Sequence, residues 1–293
     1  MIQIRRTPDA GQSRQILHPA PGGSGALRSL PAALRNHARG RRLVPDALQL
    51  SYARPAAVAI DPIEKKPLMN FLPGTRTLSL GAFGCNLDCC FCQNSSLSHG
   101  TYNANGDWRI LTPRETVSLA AANDCPSISL TYNEPTLWIE YAMDIAKLAR
   151  ASGLRTVLVT NGFIEPEPAR ALYPLVDAAN IDVKGFSEEF YESMCGGSLA
   201  PVRTACEIFK NEAGGHLELT NLVIPGRNDS PEQQEAYLDW VEAALGTDTP
   251  LHFNAYFPAY HYRQSPRTPA ALLHALRDRA LERGFRNVRL GNI

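Results

Sequence analysis

The chain reads as an α/β fold, a partial (β/α)6 barrel of parallel strands with helices outside, and three observations carry that expectation. Short β-branched or apolar runs alternate with helical patterns from about residue 76 to the C-terminus, and such alternation builds a parallel sheet covered by helices. Six strand–helix units fall short of the eight in a closed barrel, so the expected sheet is TIM-like but open. The length agrees, because one α/β barrel commonly uses this many residues, and a chain near 300 residues can bury about 75% of its unfolded surface.

In chain order, residues 1–50 are rich in Pro, Gly, Ser and Arg with only short apolar clusters. That composition predicts a loose or draped arm with one short helix around 31–39, and body structure from about residue 46. As a division into units, 1–50 is the arm and 51–293 the barrel. Strands are expected at 76–83, 126–131, 155–160, 179–184, 216–223 and 250–257, with a last short one at 287–290. Between the second and third, Leu137, Tyr141, Ile145 and Leu148 repeat at helical spacing and stop at Gly153. Ser230-Pro231-Glu232-Gln233 reads as a capping box, opening a helix through Ala236, Trp240 and Ala244. Thr268-Pro269 opens a last helix through Leu272, Leu276 and Ala280, ended by Gly284.

Hydrophobic content of 44% with 20% charged residues excludes a chain disordered throughout, a collagen-like chain and a disulfide mini-scaffold. No run approaches the ~18 apolar residues of a membrane span, and no signal-peptide core follows Met-Ile-Gln-Ile-Arg-Arg, so the expected location is cytoplasmic. The formal net charge is zero but uneven: residues 1–50 hold eight Arg against two Asp, and 263–293 hold seven Arg against Asp278 and Glu282. Basic ends on an acidic middle suit an acidic partner, nucleic acid or a reductase, or simply a solvated Arg-rich surface. No aromatic side chains interleave with the N-terminal Arg, which favours the solvated reading.

Of seven cysteines, Cys85, Cys89, Cys90 and Cys92 fall within eight positions, while Cys125, Cys195 and Cys206 are scattered. An odd total clustered locally speaks for metal or cluster ligation rather than a disulfide framework. Cys85, Cys89 and Cys92 are spaced CxxxCxxC in a loop directly after the first expected strand. There they can hold three corners of a cubane and leave one iron open. Zinc on the same thiols plus His99 is the alternative, but its usual paired knuckles are missing. Cys90 reads as a bystander. Cys206 and Cys195 read as packed residues and Cys125 as a strand neighbour, while His18, His37, His216, His252 and His274 have no ligand-like grouping.

With Phe91 before the last cysteine, this motif resembles that of the radical S-adenosylmethionine (SAM) superfamily. The resemblance implies one 4Fe–4S cluster on Cys85, Cys89 and Cys92, with SAM on its open iron. It implies further SAM contacts in chain order. Thr131-Tyr132-Asn133-Glu134-Pro135 stands where many relatives have Gly-Gly-Glu-Pro at the SAM amino group, with Tyr132 and Asn133 replacing the glycines. Thr160-Asn161-Gly162-Phe163 matches glycyl-radical activating enzymes, although Val159 replaces the Asp that those enzymes place near a monovalent cation. Asp182 and Lys184 match a pair at the methionine end of SAM, with Lys184 on its carboxylate, and Tyr260-His261 resembles a pair that sets an imidazole near the adenine.

Asp61-Pro62-Ile63-Glu64-Lys65-Lys66-Pro67-Leu68, Phe71-Leu72-Pro73-Gly74 and Ile224-Pro225-Gly226-Arg227-Asn228-Asp229 narrow the resemblance to the AmmeMemoRadiSam-system radical SAM proteins, themselves similar to pyruvate formate-lyase activating enzymes. Many members carry further cysteines before the first of these segments, whereas this chain has none before Cys85. The implied activity is reductive cleavage of SAM to a 5′-deoxyadenosyl radical that abstracts hydrogen from a substrate, such as a protein glycyl-radical site, an RNA or a small molecule. The implied partners are a one-electron donor such as flavodoxin or ferredoxin, and Memo-like and AMMECR-like proteins. A non-catalytic iron–sulfur or zinc module is the reading from a different class.

Overall fold

The computed structural model describes residues 51–102 and 109–293. The expected N-terminal arm, its helix near 31–39 and the start of the body near residue 46 lie outside the described residues. Among the described residues, eight strands form one sheet in sequence order: β1 (Ala57–Pro62), β2 (Arg76–Gly81), β3 (Ser127–Leu130), β4 (Arg155–Thr160), β5 (Ala178–Asp182), β6 (His216–Val223), β7 (Leu251–Ala255) and β8 (Val288–Gly291). β1 pairs antiparallel with β2, and every later neighbour is parallel. Six principal helices cross between the parallel strands: α1 (Pro113–Ala122), α2 (Ile139–Ala151), α3 (Pro166–Leu172), α4 (Leu199–Glu207), α5 (Pro231–Ala244) and α6 (Ala270–Glu282). This is the expected parallel α/β architecture with an open, partial barrel. No helix among the described residues is long and apolar enough to cross a membrane.

Each expected strand is present, most of them trimmed by one or two residues at an end. β1 lies outside the expectation, since Ala57–Pro62 ends in Asp-Pro and pairs only at a sheet edge, where Pro is tolerated. Helix ends follow local chemistry. Gly153 ends α2 at φ +76°, and the Leu154 amide turns back to the Ala149 carbonyl. The reciprocal capping box belongs to α1, between Thr112 and Glu115. At α5 the Ser230 hydroxyl accepts from the Gln233 amide, but the Gln233 side chain donates to the Arg227 carbonyl instead of turning back. The Thr268 hydroxyl does not cap α6. It accepts from the Tyr256 amide and donates to the Val223 carbonyl, tying β6 to the chain after β7.

Strand alternation divides the sheet into two chemistries. Leu78, Leu80, Ile128, Leu130, Leu158, Ile181, Leu217, Leu219 and Phe253 face the helices in one large core. The opposite positions face the lumen and are mostly polar, among them Thr77, Ser79, Ser129, Asn180, Asp182, Glu218, Thr220 and His252, nearly all of them buried. Parallel strands covered on both faces usually read as apolar throughout, so a polar lumen marks a space with work to do.

The connection from β1 to β2 forms a strap across the lumen. Ile63 and Leu68 pack with Val157 and Ala178 in a small separate core, each worth ~1.5–3 kcal/mol of burial. Asn180 donates to the Pro67 carbonyl at 2.8 Å. The Glu218 carboxylate, fully buried, accepts the amides of Met69 (3.1 Å) and Asn70 (2.8 Å) and the Nε2–H groups of His216 (2.9 Å) and His252 (2.6 Å). Those five polar contacts fix the floor beneath the site.

Candidate active site

The cysteine loop leaves β2 through Gly84, whose φ of +97° is left-handed and favours glycine. Its backbone is laced to neighbours: the Asp88 amide donates to the Cys195 carbonyl, the Cys90 amide to the Met194 carbonyl, and the amides of His261 and Tyr262 both to the Cys90 carbonyl. The loop therefore holds its shape from hydrogen bonds to two other elements. It opens on a cavity of about 530 Å³.

Cys85, Cys89 and Cys92 line that cavity, and Cys90 does not. The Cys90 sulfur instead lies 3.8 Å from the Met194 sulfur. All seven cysteines are unpaired. Burial pushes the Cys85 thiol up. Cys89 is pushed up by a contact with the Cys195 thiol and then by burial. Asn161 donates to the Cys85 sulfur at 3.5 Å and to Asn86 Oδ1 at 2.8 Å, and Cys92 donates to the Ser98 hydroxyl at 3.5 Å.

Three thiols around one cavity fit a cubane, a polynuclear group whose irons each need one sulfur donor. Among the described residues no three His, Cys, Asp or Glu side chains converge closely enough to hold a single metal ion. His99 lines the cavity as well, but its ring stacks on Tyr260 at 4.7 Å and its Nδ1 faces Asp88 at 3.6 Å. The donor set suits an iron–sulfur cluster better than tetrahedral zinc.

Of the residues expected to meet SAM, Phe91, Tyr132, Asn133, Thr160, Asn161, Asp182 and Lys184 line the same cavity. Glu134 and His261 do not. The Glu134 carboxylate is fully buried and occupied by its own chain: Thr160 Oγ1 (2.8 Å), the Thr136 amide (3.0 Å) and the Asn161 amide (2.8 Å) all donate to it. Burial pushes its pKa up, against the pull of those bonds. Glu134 thus joins the end of β3 to the end of β4 and aims Asn161. His261 is exposed, with its ring against Tyr260.

The Asn133 side chain accepts from the Ala82 amide (3.0 Å) and donates to the Gly84 carbonyl (2.7 Å), bracing the root of the cysteine loop. Tyr132 adopts φ +74°, and its phenol donates to Asp61 at 2.5 Å. Asp182 and Lys184 form an ion pair at 2.9 Å. Burial works against the Lys184 charge, but Asp182 outweighs it and holds the ammonium charged. Asn228 donates to the Lys184 carbonyl at 2.7 Å, so the Ile224-to-Asp229 segment serves as a brace behind that lysine.

The cavity also includes Lys65, Lys66, Thr220, Leu222, Asn254 and Asn292, which were not among the expected site residues. A signal for part of this set is present in β6, where Glu218 and Thr220 alternate with Leu217 and Leu219 in a strand whose two faces both lie under cover.

Residues 81–238 match the Radical SAM superfamily. The chain is 41% identical over 244 residues to an uncharacterized protein of Methanocaldococcus jannaschii, covering 83% of this chain and 72% of that protein. It is 30% identical over 130 residues to a 7-carboxy-7-deazaguanine synthase of Methanothermobacter thermautotrophicus, across 43% of this chain and about half (49%) of that enzyme. A radical SAM methyltransferase from Sphaerobacter thermophilus shares the fold with a TM-score of 0.59 at 18% identity, over 76% of this chain and 68% of that one.

Proposed function

The chain belongs to the radical SAM superfamily, whose members use a 4Fe–4S cluster and SAM, and from that premise we propose that Cys85, Cys89 and Cys92 hold the cluster in the cavity that Asn161, Asp182 and Lys184 line. The observation that carries this reading is the partition of the four clustered cysteines, with three thiols on the cavity and Cys90 turned to Met194. When bound, the cluster supplies one electron to SAM, whose cleavage gives a 5′-deoxyadenosyl radical for hydrogen abstraction. The chain's own residues bind, aim and enclose. Lys184, held charged by Asp182, pairs with the SAM carboxylate. Asn161 is aimed by Glu134 beside Cys85. Leu87, Phe91, Val159 and Leu222 supply apolar wall that limits water.

The segments Asp61-to-Leu68 and Ile224-to-Asp229 support a place among the AmmeMemoRadiSam-system proteins, with an activity like that of glycyl-radical activating enzymes, a flavodoxin- or ferredoxin-type electron donor, and Memo-like and AMMECR-like partners. Residues 51–293 act as the radical SAM unit in this reading. The test is anaerobic reconstitution with iron and sulfide. Wild type should hold about four irons per chain and show a SAM-dependent change in the EPR signal of the reduced cluster. Cys85→Ala, Cys89→Ala and Cys92→Ala should each lose the iron while Cys90→Ala keeps it. Stoichiometric zinc in place of iron, or loss of iron in Cys90→Ala with retention in Cys89→Ala, would refute the assignment.

A further inference from the structure

The strap beneath the cavity carries chemistry that SAM binding does not use. Asp61, Lys65 and Lys66 form one cluster: Lys66 Nζ lies 2.7 Å from Asp61 Oδ2 and Lys65 Nζ 3.0 Å from Asp61 Oδ1. Two ammonium groups thus share one carboxylate, which leaves a net positive charge. Lys66 is only 2% exposed, yet it lines the same cavity as the three cysteines, and so does Lys65. Of the three N–H groups on Lys66, one goes to Asp61, and the Tyr132 ring face lies 4.4 Å from the nitrogen. The rest of that ammonium has no hydrogen-bond acceptor among the described residues. A buried ammonium short of acceptors is costly, and burial accordingly pulls the Lys66 pKa down.

A second, independent feature faces the same space. Thr220, 6% exposed, lines the cavity two residues beyond Glu218 on β6, and its hydroxyl has no hydrogen-bond partner among the described residues. The acidic groups nearby are already matched. Asp182 pairs with Lys184, and Glu218 is saturated by two histidines and two strap amides. Lys66, Lys65 and Thr220 therefore keep donors to spare on the cavity, which Asn254 lines as well.

The geometry points to an anion-receiving floor: Lys66, Lys65 and Thr220 bind a carboxylate or phosphate group of the substrate inside the lumen. The assignment rests on the cavity being the radical SAM site, and it adds the substrate's class. A carboxylate or phosphate brings several acceptor lone pairs and the charge that the floor lacks. Bound there, the anion would orient the rest of the substrate toward the cysteine-loop end of the lumen.

The test is calorimetric titration of the cluster-loaded, SAM-bound protein at low ionic strength with two probes, acetate and inorganic phosphate. One of them should bind at a single site, and which one binds identifies the group. Lys66→Met should weaken that binding at least tenfold and Lys65→Met about threefold. Lys66→Arg should restore most of it, and SAM affinity should be unchanged throughout. Should Lys66→Met not fold, reductive methylation of the wild type mapped by peptide reads the same site. The anion should slow modification of Lys65 and Lys66 and leave Lys147 unaffected.

Binding of neither probe, equal binding by wild type and Lys66→Met (an adventitious ion only), or unprotected lysines overturns the inference. So does a parallel loss of SAM affinity in Lys66→Met, which would place SAM's own carboxylate on the floor. Repeating the titration on iron-free protein separates the two readings. Anion binding without iron or SAM binding would refute the proposed function and leave the floor standing.

Discussion

Glu218 offers a measurement of how firmly the strap is held. Burial works against its charge, but the bonds from His216, His252 and the Asn70 amide prevail and hold its pKa at about 2, against 4.5 for an ordinary glutamate. The folded-state pKa is depressed, so the stabilisation is fully present above pH 4.5 and is lost as pH falls toward 2. A gap of about 2.5 pKa units corresponds to ~3 kcal/mol at neutral pH, of which ~2 kcal/mol is gone by pH 3. Glu218→Gln keeps the size and one acceptor oxygen, but its amide group turns a donor toward donors. The variant should be less stable than wild type by ~3 kcal/mol at pH 7, and the gap should narrow to ~1 kcal/mol at pH 3. Asp61 is also held well below the usual carboxylate range, but it is common to both proteins and cancels in the difference. Urea unfolding of the iron-free protein from pH 7 to pH 3 reads this directly. Parallel stability profiles for the two proteins would refute the clamp.

Three further outcomes are expected. Lys184→Met should retain iron but weaken SAM binding roughly ten- to a hundredfold, the equivalent of ~1.5–3 kcal/mol for a charge-assisted hydrogen bond; wild-type affinity in an anaerobic titration would remove Lys184 from the site. Asn133→Ala removes both braces at the root of the cysteine loop, so urea unfolding should show a loss of ~1–3 kcal/mol, and the iron should leave faster under a chelator. Tyr132→Phe deletes only the hydroxyl on Asp61 and should cost ~1–2 kcal/mol; a variant as stable as wild type would mean that this bond contributes nothing.

The outer half of this structure is legible in the sequence and the inner half largely is not. Leu78 and Leu80, or Leu217 and Leu219, announce strands because helix-facing positions must be apolar. The cysteine spacing announces the loop because Cys85, Cys89 and Cys92, the ligands proposed above, sit on one short segment that must bend to turn its thiols to one cavity. The roles of Glu134 and Glu218 are hidden for the opposite reason. Their partners sit on other elements, Thr160 and Asn161 for one, Met69, Asn70 and His252 for the other. Only the folded register brings those groups together. The same holds for His216 and His252, which lack any ligand-like grouping in sequence yet share one carboxylate in space.

Tyr132 shows how the rim and the floor depend on one another. A tyrosine at φ +74° occupies backbone space that costs a non-glycine residue on the order of 1–3 kcal/mol. Gly81 helps by omission, because a Cβ there would come within 2.9 Å of the Tyr132 ring. What offsets the strain lies below: the phenol on Asp61 and the Lys66 ammonium against the ring face. A glycine at 132 would relieve the backbone and sever both contacts. Neighbouring residues thus act in opposite directions along the lumen, Asn133 up to the cysteine loop and Tyr132 down to the strap. A substrate anion settling on Lys66 would therefore meet a floor already braced from above by the Tyr132 ring.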